Sequence, residues 1–410
     1  MNIGLVGFGV SNKAIYEHFK DTHKITIHNK MKIPVPKCVN AIFGEGYLNC
    51  SEDIVFRSPS VRPDKINASC PIFCEATYAL NKLGGTKICI TGSDGKTTTS
   101  SLIYEVLRDK NAYLGGNIGR PLISAVKESY DFIISELSSF QLMDHSPKCD
   151  VAIITNITEN HLDYHKSMAE YIEAKENLVK NAKHIILNYD DEALREMGKK
   201  YKNVSYFSLN TPCDAYIDNG YIYLKGKRLF SVSQIKLKGK FNLLNVLASM
   251  LATYKYTDNF DAICNFGGVE NRLELVRDLN GIKFYNSSID STPSRTIATL
   301  SAFDKSRCVV ILGGSDKNLS YDILGKELKS IKSAIILGEN KQKILASLNN
   351  YVKNIFIVNN LKEAINLGYT LCENGDMLIL SPASTSFDMF SSYKERGEQF
   401  KKAVQNIGKC

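Results

Sequence analysis

The chain has no tryptophan, and only 7 histidines and 10 prolines among its 410 residues. It has no apolar run long enough to span a bilayer, which excludes insertion by a membrane helix. Its opening, Met1-Asn2-Ile3-Gly4-Leu5-Val6-Gly7, lacks the basic start and the cleavage site of a signal peptide and reads as a first strand, so a cytoplasmic protein is expected. No block of Lys and Arg interleaved with aromatics occurs. The formal net charge of +8 therefore suits polyanionic small molecules better than nucleic acid. The 11 cysteines are scattered, several in apolar runs such as those around Cys89, Cys149 and Cys308, where a thiol behaves as a small hydrophobe. Cys70 and Cys74 have no matching pair or histidines downstream, so neither a disulfide framework nor a zinc site is indicated.

What is present describes a globular α/β protein of more than one domain, with 44% hydrophobic and 23% charged residues. Turn-rich stretches at Gly84-Gly85 and Gly267-Gly268 suggest three domains, over 1–86, 87–268 and 269–410. The first opens on a strand followed by Gly7-Phe8-Gly9-Val10-Ser11-Asn12 and a helical stretch. This is half of a dinucleotide fingerprint. The third glycine is absent, with Asn12 or Lys13 near its place, and the second strand ends His28-Asn29-Lys30 with no acid for a ribose. NAD is disfavoured, but the open turn and the helix end can still hold a phosphate or a sugar nucleotide.

The second domain opens on Ile88-Cys89-Ile90-Thr91-Gly92-Ser93-Asp94-Gly95-Lys96-Thr97-Thr98-Thr99, an apolar run that breaks into a glycine-bounded turn and then a helix. Gly92 and Gly95 let N–H groups converge on an anion, Lys96 adds a charge, and Thr97 is placed to offer a hydroxyl to magnesium. Only Ser93 and Asp94 separate the glycines, where the usual phosphate loop has four residues. Gly115-Gly116-Asn117-Ile118-Gly119 follows, a loop with an amide at its centre. The strand ending in Glu136 puts an acid where a magnesium-binding carboxylate belongs, and the next strand opens into a loop carrying His161, expected to bind a ligand or move a proton. His165 is expected to be structural. Lys175, amid Glu170, Glu173 and Glu176, reads by composition as part of a solvated face. Residues 201–238 alternate as a β-rich excursion, after which Asn242 and Asn245 lie one helical turn apart. Beyond 268, strands alternate with helices in a third α/β unit whose loops carry Arg272, Ser287 to Asp290, Gly313 to Lys317, and Ser381 to Asp388.

Taken together, Thr91–Thr99, Gly116–Gly119, Glu136-Leu137-Ser138-Ser139-Phe140-Gln141-Leu142, Asn156–Asp163, Asn242 with Asn245, Arg272-Leu273-Glu274 and Leu380–Asp388 resemble the ATP-dependent muramoyl peptide ligases, the Mur ligase family. The Glu136–Leu142 and Ser381–Asp388 stretches are those most specific to the branch that adds D-glutamate. The resemblance implies a Rossmann-like first domain, a central ATPase of the P-loop type and a Rossmann-like third domain. It implies that UDP-N-acetylmuramoyl-L-alanine and D-glutamate are joined at the expense of ATP through an acyl phosphate, by a monomer without nucleic acid partners.

By the same resemblance, Gly92, Ser93, Asp94, Gly95, Lys96, Thr97 and Thr98 hold the nucleotide, with Asn242, Asn245, Arg272 and Ser287 on its adenine and ribose side. Thr97, Glu136, His161 and a carbamylated Lys175 hold two magnesium ions, and Lys96, His161 and Lys175 act in catalysis. Val10 and Ser11 meet the uracil and diphosphate, Asn117 contacts substrate, and Lys317, Ser386 and Tyr393 hold glutamate. The chain departs from the family pattern at Asn271 and Phe241, where histidines are usual, at Ser287 and Ile289, where an aspartate and a lysine are usual, at Ser60, where a glycine is expected, and at Tyr393, where phenylalanine is usual.

Overall fold

A computed structural model of the chain describes residues 1–162, 164–237, 239–316 and 319–408. Lys317 lies outside the described residues. The chain forms two compact units, one of Met1–Ile235 with Phe241–Phe266 and one of Lys236–Lys240 with the chain from Gly267 on. No helix among the described residues is long and apolar enough to cross a membrane.

The first unit contains two main sheets. The smaller is all parallel, with strands in the order Asn40–Phe43, Lys24–Asn29, Asn2–Val6, Ile54–Arg57, Ile72–Cys74. The opening strand is central and buried, as Ile3, Leu5 and Val6 require. Gly7 then turns the chain at φ +78°, where a Cβ would lie 2.5 Å from Ser58 Oγ, and the helix Val10–Phe19 begins. Asn12 stands near the place of the missing third glycine and has a structural task there. Its buried Nδ2 reaches the carbonyl oxygens of Val6, Gly7 and Phe56 at 3.1, 2.7 and 3.0 Å, pinning the helix to two strand ends.

The larger sheet has nine strands. Seven run parallel, in the order Ala215–Asp218, Val204–Ser208, Ala182–Asn188, Cys149–Ile154, Thr86–Thr91, Phe132–Glu136, Ala112–Gly116. Tyr221–Leu224 and Lys227–Ser231 continue it antiparallel beyond Ala215–Asp218. Both connections are two-residue turns with positive φ at each position, Asn219-Gly220 and Lys225-Gly226, the geometry that fits hairpin twist. Tyr216 and Tyr223 stack across the first hairpin at 4.9 Å, and Lys227 and Arg228 lie exposed on the outermost strand. Because Thr86–Thr91 is flanked by strands that leave it in opposite directions, the loops after Thr91, Glu136 and Ile154 emerge along one edge, where open α/β sheets hold ligands.

Two buried arginines tie the small sheet's loops to this framework. Arg57 Nε and Nη2 donate to Asp144 at 2.8 and 2.7 Å, and Arg62 Nη1 and Nη2 donate to Glu170 at 3.0 and 2.8 Å.

The second unit is a six-stranded sheet in the order Glu274–Leu279, Ile282–Asn286, Met377–Leu380, Cys308–Leu312, Ser333–Ile336, Ile355–Ile357. All neighbours are parallel except the first pair, a hairpin through Asn280-Gly281. The sequence reading expects the parallel strands but not the Glu274–Leu279 partner. The α/β class with parallel-rich sheets holds throughout.

Candidate active site

The Gly92–Lys96 loop leaves the buried Thr86–Thr91 strand under tight constraint. Gly92 has φ +150°, and a Cβ on it would fall 1.9 Å from Thr155 Oγ1. That hydroxyl donates to the Asp94 carbonyl at 2.5 Å, and Asn156 Oδ1 accepts from the Asp94 N–H at 2.9 Å. Ser93 Oγ accepts from the Thr158 N–H at 2.9 Å and lies 2.9 Å from the Tyr171 hydroxyl. The neighbouring strand's end therefore moulds the loop. Gly95, at φ +81°, opens the helix Lys96–Leu107, and a Cβ there would lie 2.3 Å from Asn245 Oδ1. Asn245 Nδ2 donates in turn to Asn242 Oδ1 at 3.1 Å, so the two asparagines face one another beside the loop, both buried. Thr98 is buried behind it.

Glu136 is brought to the same edge by its strand. Its carboxylate is 2% exposed, and it accepts from Thr97 Oγ1 at 2.8 Å on one oxygen and from Asn117 Nδ2 at 2.9 Å on the other. The Asn117 N–H also donates to the Glu136 carbonyl at 2.8 Å. The Glu136 carboxylate and the Thr97 hydroxyl are oxygen donors of the kind that suit a hard divalent cation such as magnesium.

Lys175, which composition reads as solvated, is 1% exposed. Its Nζ donates to the Gly92 carbonyl at 2.7 Å and sits 4.5 Å from the centre of the Tyr171 ring. Burial first, and the Lys96 charge second, push its amine well below the usual lysine range, against a smaller opposing pull from Asp94. Lys96 Nζ donates to the same Gly92 carbonyl at 2.7 Å and to Ser93 O at 2.8 Å. His161 is exposed, with φ +56°, and its ring meets Phe140 edge-on at 4.9 Å. His165 is buried, as expected of a structural residue, with Nε2 2.9 Å from Ser139 Oγ, and burial lowers its pKa.

The other expected residues lie on other elements of the two units. Val10 is 73% exposed and Ser11 half-buried in the first turn of their helix. In the second unit, Arg272 lies between Asn271 and Leu273, both at positive φ, with its N–H on Val269 O at 2.9 Å. Ser386 is buried and its carbonyl accepts from Met389 and Phe390. Tyr393 is half-buried and opens the helix Tyr393–Asn406, its carbonyl accepting from Ser288 Oγ at 2.8 Å. Ser287 directly follows the strand Ile282–Asn286. It has no exposed surface, and its hydroxyl accepts from the Leu273 N–H at 3.2 Å. Asp290 is likewise internal, taking Thr299 Oγ1 and Ser381 Oγ at 2.8 Å each, with burial raising its carboxyl pKa.

Thr155, Asn156 and Tyr171 are contributors to the site that the sequence reading leaves without a role. Their position just past a strand end, and four residues before Lys175 on its helix, is the signal that points to them.

Comparison with known proteins bears on this geometry directly. Residues 90–253 match the Mur ligase middle domain and residues 271–384 match the Mur ligase glutamate ligase domain. The chain is 36% identical over 443 aligned residues to the UDP-N-acetylmuramoylalanine–D-glutamate ligase of Clostridium tetani, covering 99% of this chain and 96% of that one. The chain belongs to the Mur ligase family. Identity to the ligase of the same description from Ruminiclostridium cellulolyticum is 37%, covering 98% of this Mur ligase and 93% of that protein. Among solved structures, the UDP-N-acetylmuramate-alanine ligase of Thermotoga maritima superposes with a TM-score of 0.64 at 20% identity, covering 99% of this chain and all of that one. The MurF ligase of the same organism, solved in complex with ADP, gives 0.61 at 16% identity, covering 99% and 95%. The matched middle-domain span contains the Gly92 loop, Glu136, Lys175, Asn242 and Asn245 of this Mur ligase.

Proposed function

We propose that this Mur ligase uses ATP to join D-glutamate to UDP-N-acetylmuramoyl-L-alanine, a step in making peptidoglycan precursors in the cytoplasm, and that it works as a monomer. Relatives described by that reaction match over nearly the whole chain. The observation that carries the reading is the Glu136 carboxylate, held between Thr97 and Asn117 beside a phosphate loop.

The alanyl carboxylate attacks the γ-phosphorus of ATP, the bond to ADP breaks, and an acyl phosphate results. The glutamate amine then attacks the acyl carbon, loses a proton, and phosphate leaves with an amide formed. Such chemistry depends on positioning and on neutralising charge. The N–H groups from Gly92 to Thr98 and the helix end at Lys96 receive the phosphates, and Lys96 Nζ reaches them by leaving the Gly92 and Ser93 carbonyls. Two magnesium ions, when bound, would neutralise the phosphate charge and be held by Thr97, Glu136, His161 and Lys175. Asn117 holds the acceptor beside Glu136. Asn242, Asn245 and Arg272 are assigned to the nucleoside, Val10 and Ser11 to the UDP group, and Lys317, Ser386 and Tyr393 to glutamate. The division of labour is 1–86 for the UDP substrate, 87–268 for ATP and 269–410 for the amino acid.

Lys175 is assigned to a metal as its carbamate. An uncharged amine is the form that adds to carbon dioxide, making an N–C bond and releasing a proton to solvent. A buried amine with a depressed pKa and a second lysine nearby supplies that form. Phosphate release with the UDP-linked acceptor and a panel of amino acids tests the function. Release is expected with D-glutamate and not with L-glutamate, glycine or diaminopimelate, and release without regard to the amino acid would sink the assignment.

A further inference from the structure

Glu75 is the first residue of the short helix Glu75–Leu80, which follows the last strand of the small sheet. Its side chain is 2% exposed, and no cation pairs with it among the described ion pairs of the chain. Instead Glu75 Oε1 accepts from the Ile123 N–H at 2.6 Å, in a separate element 48 residues on. Ile123 belongs to the one-turn 3-10 helix Leu122–Ala125, whose N-cap is Pro121, a residue with no side-chain group to cap it. Glu75 therefore provides from outside the cap that the local sequence withholds. Around this bond Ala76, Ala79, Leu80, Leu122, Ile123 and Ala125 share one apolar core. Burial pushes the Glu75 carboxyl up to about 7, with the Ile123 and Leu122 N–H groups pulling the other way. A carboxyl kept where its charge is disfavoured, with its main contact a backbone N–H, is there to hold that backbone.

The held backbone runs straight into the site. Leu122 follows the loop Gly115–Pro121, which closes on itself through Gly116 N–H to Arg120 O at 3.1 Å and Tyr113 OH to Pro121 O at 2.8 Å. At the loop's other end Gly116, at φ +100°, passes so near the Glu136 strand that a Cβ would lie 2.3 Å from Glu136 O. Asn117 is the next residue, with both its N–H and its Nδ2 on Glu136. Fixing Leu122 and Ile123 fixes the loop's exit, as the Glu136 strand fixes its entry.

We propose that Glu75 is a positioning residue for the ligase reaction, holding the exit of the Asn117 loop from the helix that ends the small sheet and so setting Asn117 against Glu136. The proposal rests on the reading of Asn117 as the acceptor contact. It also links the part of the chain assigned to the UDP group with the loop that presents the acceptor to the phosphate site, so an ill-seated small sheet misplaces Asn117.

Two measurements test it on the full chain. Amide hydrogen exchange of the 112–126 segment, made without substrates, should quicken in Glu75→Ala and return nearly to wild type in Glu75→Gln, which keeps an acceptor oxygen. In steady-state assays Glu75→Ala should raise KM for the UDP-linked acceptor about tenfold, the worth of one well-placed hydrogen bond, with KM for ATP within about twofold of wild type. Because Glu75 acts through Asn117, Glu75→Ala in an Asn117→Ala background should change that KM by less than about twofold. If Glu75→Ala fails to fold, Glu75→Asp, which withdraws the oxygen by one methylene, should give the same pattern. Unchanged exchange, or an acceptor effect of equal size in both backgrounds, overturns the proposal. Should wild type release no phosphate with any amino acid, the functional reading falls, and exchange still decides whether Glu75 anchors the loop.

Discussion

Lys96 and Lys175 aim their side-chain nitrogens at the same oxygen, each 2.7 Å from the Gly92 carbonyl. One neutral acceptor does not offset two ammonium charges, and burial, with the Lys96 charge second, lowers the pKa of Lys175. On the proposed reading Lys96 serves the phosphates and Lys175 is the amine left for carbamylation.

Replacing Lys175 by Ala should lower the rate of phosphate release by about a hundredfold or more, since a metal-side anion is removed. Short carboxylates such as acetate or formate should restore part of that rate by occupying the vacated volume. Wild-type enzyme held free of carbon dioxide should lose activity and regain it with bicarbonate. A Lys175→Ala enzyme as fast as wild type would refute the carbamate role.

Gly95→Ala tests the loop's backbone. The residue sits at φ +81° with Asn245 Oδ1 2.3 Å from a Cβ, so the substitution forces both a strained conformation and movement of a buried amide. ATP affinity by calorimetry should fall at least about tenfold, while the far-ultraviolet spectrum stays native. Wild-type affinity would mean that Asn245 can withdraw without consequence.

Asn12→Ala should destabilise the small sheet by about 2 kcal/mol or more, because three strand-end carbonyls lose a buried donor. Urea unfolding followed by tyrosine fluorescence reads this. Restoring the glycine of the dinucleotide fingerprint at this position should be equally damaging, since what the turn uses here is the amide.

The Arg62–Glu170 pair sets a pH dependence. Arg62 holds the Glu170 carboxyl down at about 2, below the unfolded value near 4.3. A depressed carboxylate contributes stability above the unfolded pKa and loses it as pH falls toward the folded one. The Tm gap between wild type and Arg62→Met should therefore stay level from about pH 5 to 8 and close between about pH 4.5 and 2. Because Glu170 keeps 25% of its side-chain surface, the gap should also narrow with added salt. A gap that widens on acidification would exclude this origin.

The phosphate loop, the Glu136 strand and the parallel order around them are legible because each is a local pattern, an apolar run ending in glycine or acid. Lys175 shows how composition misleads. Glu173 and Glu176 lie two before and one after it, off its face, whereas Tyr171, Leu178 and Val179 at i−4, i+3 and i+4 are all buried. Helical period, rather than neighbouring charge, locates that lysine inside. The Asn280-Gly281 hairpin carries the same turn signature as Asn219-Gly220 and goes unread because the strand before it, Glu274–Leu279, is half polar. Ser287 and Glu75 are different in kind. Their hydrogen bonds reach partners 14 and 48 residues away, a distance over which no local pattern reaches.

The outermost hairpin of the large sheet has a bearing on the enzyme at high concentration. A nine-stranded sheet ending in an open strand offers unpaired N–H and C=O groups to any second chain. Here that strand is Lys227–Ser231, with an irregular register between Tyr221 and Tyr223 and with Lys227 and Arg228 side by side in solvent. Docking a second copy there would bring two basic edges together. That like-charge repulsion guards the edge, and an apolar swap at both positions should remove the guard and favour edge-to-edge association.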